Sequence, residues 1–239
     1  MRCAIGKLRS FMGLSLAAGV LVGGVSPAHA VTIRVSQESA AGLGDFDSNV
    51  LGTLTPYSTT DSASDFYGYN TTNPASYGNG TPTLSAALSH LFLVDASDGL
   101  SLFIVHDAPQ TNPGGTARTA FSLTGDTASI LVRDDANAGY IDTGVSFSAN
   151  HNWNTCCTDG YVIGSLDGDW SVIGGFVQNA PTGLNDWSAL SSDGSTLDLA
   201  LELGRRVRLD LLPDAAVPEP AAALSLLAMA GLALARRRA

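Results

Sequence analysis

The sequence predicts an all-β ectodomain, an antiparallel β-sandwich or jelly-roll-like fold, flanked by an N-terminal signal-peptide helix and a short C-terminal transmembrane helix. Three observations point there. Helical periodicity is absent between the two apolar ends of the 239-residue chain. Gly and Asp return roughly every eight to twelve residues, the spacing of turns between short strands. No alternation of strand-like and helix-like stretches appears, which argues against a parallel βαβ fold.

The elements follow in order from residue 31, with the ectodomain expected over 31–212. Val31-Thr32-Ile33-Arg34-Val35 alternates apolar and polar residues and opens the domain as a half-buried strand. Residues 36–83 turn to Ser, Thr, Asn, Gly, Pro and Tyr, a loop-rich stretch with one short strand over 49–54. Its tyrosines, Tyr57, Tyr67, Tyr69 and Tyr77, suit either a stacking surface for sugars or anchors pinned to the core. Strands are expected at 86–94, with a helical turn over 83–87, and at 100–106, apolar at nearly every position as in a strand buried on both faces. Residues 117–123 and 127–133 are read as a hairpin closed by Thr124-Gly125-Asp126. Strands over 140–148, 161–165 and 170–177 follow, the last two separated by Asp167-Gly168-Asp169. Leu197, Leu199, Leu201 and Leu203 alternate with small or acidic residues, and Val207, Leu209 and Leu211 resume the phase after Gly204-Arg205. This gives two half-buried strands or one long bulged one, with Arg206, Arg208 and Asp210 on the polar face.

Both ends carry targeting chemistry. In residues 1–30, Arg2, Lys7 and Arg9 precede an apolar centre over 11–25. Ser26-Pro27 breaks the helix, and Ala28-His29-Ala30 makes a small-x-small site for cleavage after Ala30 by signal peptidase following export through the secretion translocon. A retained N-terminal anchor is the alternative. At the other end, a linker from Pro213 leads through Val217-Pro218-Glu219-Pro220 to an apolar helix over 221–235 and Arg236-Arg237-Arg238-Ala239. Fifteen helical residues cover about 22 Å, short of a hydrocarbon core of about 30 Å. The arginines hold the C-terminus on the cytoplasmic side and leave everything upstream outside.

A Pro-Glu-Pro triplet, a short apolar helix and a terminal arginine cluster, in that order, resemble the PEP-CTERM sorting signal of Gram-negative bacteria. The resemblance covers residues 216–239 only. It implies recognition by exosortase, a membrane-embedded transpeptidase-like enzyme of organisms that make extracellular polysaccharide. It also implies processing near Val217, Pro218, Glu219 and Pro220, transient anchoring in the inner membrane, and delivery to the cell surface or extracellular matrix. An ordinary tail anchor is the competing reading, and neither states what the ectodomain does.

Without its targeting ends the chain holds six arginines, no lysine and twenty-one carboxylates, a net charge of about −15. That disfavours nucleic acid and anionic membrane surfaces and favours cations, neutral partners or plain solubility. After loss of Cys3 only the adjacent Cys156 and Cys157 remain. They suit a vicinal disulfide, two free thiols, intermolecular bridges, or with His151 a soft-metal site.

The sharpest chemical motif is Asp45-Phe46-Asp47-Ser48-Asn49, which sets Asp45, Asp47 and Asn49 at alternate positions as oxygen ligands for structural calcium. The EF-hand pattern then fails, with Val50 in place of Gly and Pro56 in place of Glu. Asp134-Asp135-Ala136-Asn137 and Asp167-Gly168-Asp169 fit a second cation loop or ordinary turn chemistry. No Gly-x-Ser-x-Gly or His-Glu-x-x-His motif organises His90, His106 or His151, and His106-Asp107 reads as a strand end. No catalytic residue and no cofactor beyond calcium is therefore expected. The functional expectation is a non-enzymatic surface or matrix protein associated with exopolysaccharide. The alternatives are a carbohydrate-binding module using calcium or aromatics such as Tyr67, Tyr69, Trp153 and Trp187, and a secreted hydrolase.

Overall fold

The computed structural model describes residues 31–69, 76–110 and 114–212. The expected signal peptide (1–30) and the expected linker, sorting signal and transmembrane helix (213–239) lie outside the described residues. Among the described residues no helix is long and apolar enough to cross a membrane.

The chain runs β1 (Thr32–Gln37), β2 (Val50–Leu54), β3 (Tyr57–Ser58), α1 (Ala63–Tyr67), β4 (Leu88–Ala96), β5 (Gly99–His106), β6 (Gly115–Thr124) and β7 (Ser129–Arg133), then β8 (Ile141–Asp142), β9 (Ser146–Trp153), β10 (Asp159–Gly164), β11 (Ser171–Phe176), β12 (Asp186–Leu190), β13 (Thr196–Leu199) and β14 (Val207–Leu212). The strands form two seven-membered sheets. The first has the order β2-β1-β14-β11-β6-β9-β8; the second is β13-β12-β4-β5-β10-β7 with β3 also against β4. Ile33, Val35, Phe121, Phe147, Val172, Val207 and Leu209 of the first sheet share one buried cluster with Leu91, Leu93, Leu102, Ile104, Tyr161 and Ile163 of the second, so the fold is an all-β sandwich.

Sheet two is covered on its other face as well. Phe92, Val94, Phe103, Val105, Val132 and Val162 point away from sheet one into a second cluster closed by Ala63, Phe66, Tyr67 and Tyr77. This explains the unbroken apolar runs of β4 and β5, since alternate residues enter different cores. Within the 36–83 stretch, β2 joins the edge of sheet one, and the described residues around α1 together with Tyr77 form a lid over sheet two. Its helix α1 escaped the sequence reading because it has only five residues. Ser62 caps its start, accepting from Asp65 N at 3.1 Å and donating to Asp65 Oδ2 at 2.8 Å. Gly68 ends it at φ 65°. Tyr67 and Tyr77 are anchors with at most 1% exposure. They meet edge to face with centroids 5.3 Å apart, and Tyr67 stacks on Phe103 at 6.1 Å.

Three expectations need correction. The 124–126 turn does not close a hairpin: β6 lies in sheet one and β7 in sheet two. The chain crosses the sandwich there, returns between β7 and β8, crosses again between β9 and β10 and returns between β10 and β11. The Asp126 carboxylate joins the first and last of these corners by accepting from Asp167 N at 2.8 Å and Gly168 N at 2.9 Å. The Leu-alternating stretch does form two strands, one of the two readings, but the first ends at Leu199, short of Leu201 and Leu203, and the two lie in different sheets, β13 in sheet two and β14 in sheet one. The sandwich is not wholly antiparallel either, since β12 and β3 both pair parallel with β4. Both are short, and they share one edge of β4 end to end, β12 along Leu88 to Phe92 and β3 along Val94 to Asp95.

Candidate functional site

The calcium motif does not gather its own oxygens. Asp45 accepts from the Ser48 backbone and hydroxyl, Asp47 pairs with Arg208, and the Asn49 amide donates to Gln37 O at 3.0 Å. Among the described residues no group of three or more His, Cys, Asp or Glu is placed to hold a metal ion. Of the four aromatic residues nominated for sugar stacking, Tyr67, Trp153 and Trp187 are interior at 0–3% exposure, and Tyr69 is half-buried against the second cluster. The sorting residues Val217, Pro218, Glu219, Pro220, Arg236, Arg237 and Arg238, and the cleavage residues Ala28 and Ala30, lie outside the described residues.

The structure instead assembles polar groups inside one end of the sandwich. Pairing across sheet two aligns Trp187, Ser89, His106 and Asp159 in one row on β12, β4, β5 and β10. Trp153 and His151 of β9, buried in the same interior, meet this row. His106 stacks on Trp153 with centroids 5.4 Å apart and lies 5.0 Å from the His151 ring. Its Nδ1 is 2.9 Å from Ser89 Oγ. Asp107, at φ 67°, accepts from Ala87 N and Ala108 N at 2.8 Å each through Oδ1. Its Oδ2 accepts a hydrogen bond from Trp153 Nε1 at 3.2 Å. Ala87 and Gln110 also have positive φ, 56° and 64°, so three side-chain-bearing residues hold left-handed backbone at this end.

Cys156 and Cys157 form a vicinal disulfide in the β9–β10 turn, directly beyond Trp153. The turn is tied down on both sides. Gln110 N donates to Cys156 O at 2.7 Å, and Thr158 N donates to Ser76 Oγ at 3.2 Å. Thr158 Oγ1 in turn accepts from Tyr77 N at 2.7 Å.

At the sandwich's side seam, Tyr67 donates to Asp134 Oδ2, and Tyr140 OH lies 3.2 Å from Gly160 O and 3.4 Å from His151 Nε2. His151 Nε2 is 3.7 Å from Asp159 Oδ1, close enough to attract but too far for a hydrogen bond. Burial sets the protonation here. It lowers His151 to about 3 and His90 to about 4, and holds His106 well below the usual histidine range. It raises Asp134 to about 7 and Asp159 to about 8, with repulsion between the two carboxylates adding to the second. Near pH 7 His90, His106 and His151 are therefore neutral, Asp159 is mostly protonated and Asp134 is about half protonated. Glu38 shows the opposite outcome for an equally inaccessible carboxylate. Hydrogen bonds from Arg206, joined by Gly44 N, pull it to about 2.

His106, Asp107, His151, Asp134 and Asp159 are all at most 2% exposed, so this constellation can hold protons and fix backbone but cannot receive a substrate as it stands. The sequence signals were present, namely His106-Asp107, His151 and the acidic residues after β7, but their convergence requires two sheets to face each other. Open concavity lies elsewhere. A shallow groove of about 350 Å³ runs over the outer face of sheet one, lined by Ala120, Ser122, Ile141, Ser146, Ile173 and Arg206 among others. No protein-family model, curated protein or solved structure matches the chain.

Proposed function

We propose that this chain is an exported, exosortase-sorted protein of the cell surface or extracellular matrix that acts without catalysis and associates with exopolysaccharide. The observation that carries the reading is the order Pro218-Glu219-Pro220, apolar 221–235, Arg236-Arg237-Arg238 at the end of a chain that starts with a signal-peptide pattern. The sealed state of the buried His and Asp groups supports a non-enzymatic role, because general acid–base chemistry needs the group within reach of its substrate. The jelly-roll-like description and the two flanking targeting helices belong to the same proposal. Replacing Pro218, Glu219 and Pro220 with alanine in the native host tests it. Loss of the mature form, read by intact mass and cell fractionation, is expected. An unchanged mass and destination would end the reading.

A carbohydrate-binding role is the second reading, favoured by the sheet-one groove. Hydroxyls of Ser122 and Ser146, the aliphatic Ile141 and Ile173, and the Arg206 guanidinium line it together, a mixture suited to sugar rings. Binding to a glycan array with and without chelator separates the two readings, and silence in both conditions removes the second.

A further inference from the structure

We propose that Asp134 and Asp159 form a proton-operated latch on the side seam of the sandwich: while both carry protons, segment 134–140 stays closed over His151, and loss of those protons frees it. The two residues flank the β7–β10 pairing, and Asp134 N donates to Gly160 O at 3.2 Å. Each leaves one buried oxygen, Asp134 Oδ1 and Asp159 Oδ1, without a hydrogen-bond partner. The groups that face them are known from every packed element. Tyr67 comes from α1, His106 from β5, His151 from β9, and Asp135 and Tyr140 from the segment itself. None supplies a positive charge, because His106 and His151 are held neutral by burial. The exposed Arg133 guanidinium sits over the Tyr140 ring at 5.5 Å and is not among the groups that shift either carboxylate.

Two carboxylates ionised in this seam would repel each other and lack solvation. Water can reach them at least cost by lifting the segment, since the remaining walls are β5, β9 and β10, each paired on both sides, and the fully buried Tyr67 of α1. The segment is held mainly by Tyr67 OH to Asp134 Oδ2, by Asp134 N to Gly160 O, by Asn150 N to Ala138 O at 2.6 Å and by Tyr140 OH to Gly160 O. Ala136, Asn137 and Gly139 are exposed. Titration in the neutral range, about 7 for Asp134 and about 8 for Asp159, puts the transition within reach of ordinary environments.

Arg133 is exposed and immediately precedes the segment, so tryptic cleavage of the Arg133–Asp134 bond reports its release. The full chain is digested at pH 6.5, 7.5 and 8.5, with the rate at this bond followed by mass spectrometry and corrected for trypsin activity on a short arginine substrate. Rates are compared across pH within each variant. The unaltered protein should be cut about tenfold faster at pH 8.5 than at 6.5. Asp134→Asn combined with Asp159→Asn should flatten the rise to under about twofold, because neither amide can ionise. Should that pair fail to fold, Asp159→Asn alone must weaken the rise. Equal rises in altered and unaltered proteins, or no rise in the unaltered protein, would overturn the latch.

Discussion

Replacing Glu38 with Gln is the sharpest test of how the sheet-one edge is held. Glu38 Oε1 accepts from Gly44 N at 2.7 Å, Arg206 Nη2 at 2.6 Å and Arg206 Nε at 3.2 Å, while Oε2 accepts from Arg206 N at 2.8 Å and Gly42 N at 3.4 Å. Five donors meet two oxygens. Glutamine keeps the volume but turns one oxygen into a donor, so whichever way the amide is placed it opposes two or more N–H groups. Hydrogen bonds to a charged group contribute about 1.5–3 kcal/mol each when buried. Arg206 keeps 42% of its side chain exposed, so solvent recovers part of its loss. Together these give a destabilisation of about 2–3 kcal/mol at pH 7, a fall in Tm of about 5–10 °C for a domain of this size.

The pH dependence of that loss is the discriminating feature. The folded Glu38 titrates at about 2, below its ordinary value of 4.5. Its contribution is therefore present above pH 4.5 and disappears as pH falls toward 2. Urea denaturation of both proteins at pH 7 and near pH 2 measures it. The gap should close at the acid end. A gap below about 1 kcal/mol at pH 7, or one that persists unchanged near pH 2, would refute the assignment of Glu38 as a charged staple between β1 and β14.

Three further outcomes are expected. Stability followed by urea midpoint from pH 4 to 9 should peak near pH 6.5. The buried histidines, depressed to about 3 and about 4, lose their contribution as pH falls below 6.5, and the raised Asp134 and Asp159 lose theirs as pH climbs toward 8. Phe103→Ala should cost about 3–5 kcal/mol by calorimetry or denaturant titration, because its ring touches Phe92, Phe66 and Tyr67 with 0% exposure and the lid cannot collapse into the void. Reducing Cys156–Cys157, or replacing both by serine, should shift Tm by less than about 2 °C, since a bridge between neighbours closes no loop in the unfolded chain. A larger shift would mean that the turn's bonds to Gln110 and Ser76 depend on the closed ring.

Strand existence was legible where one face is buried and the other is not. Ile33 and Val35 in β1 and Val207 and Leu209 in β14 alternate with Arg34, Arg208 and Asp210, and the structure pairs these two strands with that phase. β12 was harder to read, because Asp186-Trp187-Ser188-Ala189-Leu190 buries its polar Ser188 at 3% exposure and blurs the two-residue period. The helix α1 was hidden for a related reason. Its Ala63, Phe66 and Tyr67 contact a sheet face, and five residues are too few to display a helical repeat.

Composition and local pattern alone settled the β-rich class, the acidic, Lys-free composition of residues 31–212 and the phase of the half-buried strands, because these depend on neighbours within a few residues of one another. Pairing between distant strands decided the rest. It sent the 124–126 turn across the sandwich, made the tyrosine-rich stretch a lid, and set His106, His151, Asp134 and Asp159 into a common interior. A carboxylate's behaviour likewise depends on what the fold carries to it. Glu38 meets Arg206, which lies 168 positions along the chain, and stays charged, whereas Asp159 meets a neutral histidine and another carboxyl and keeps its proton.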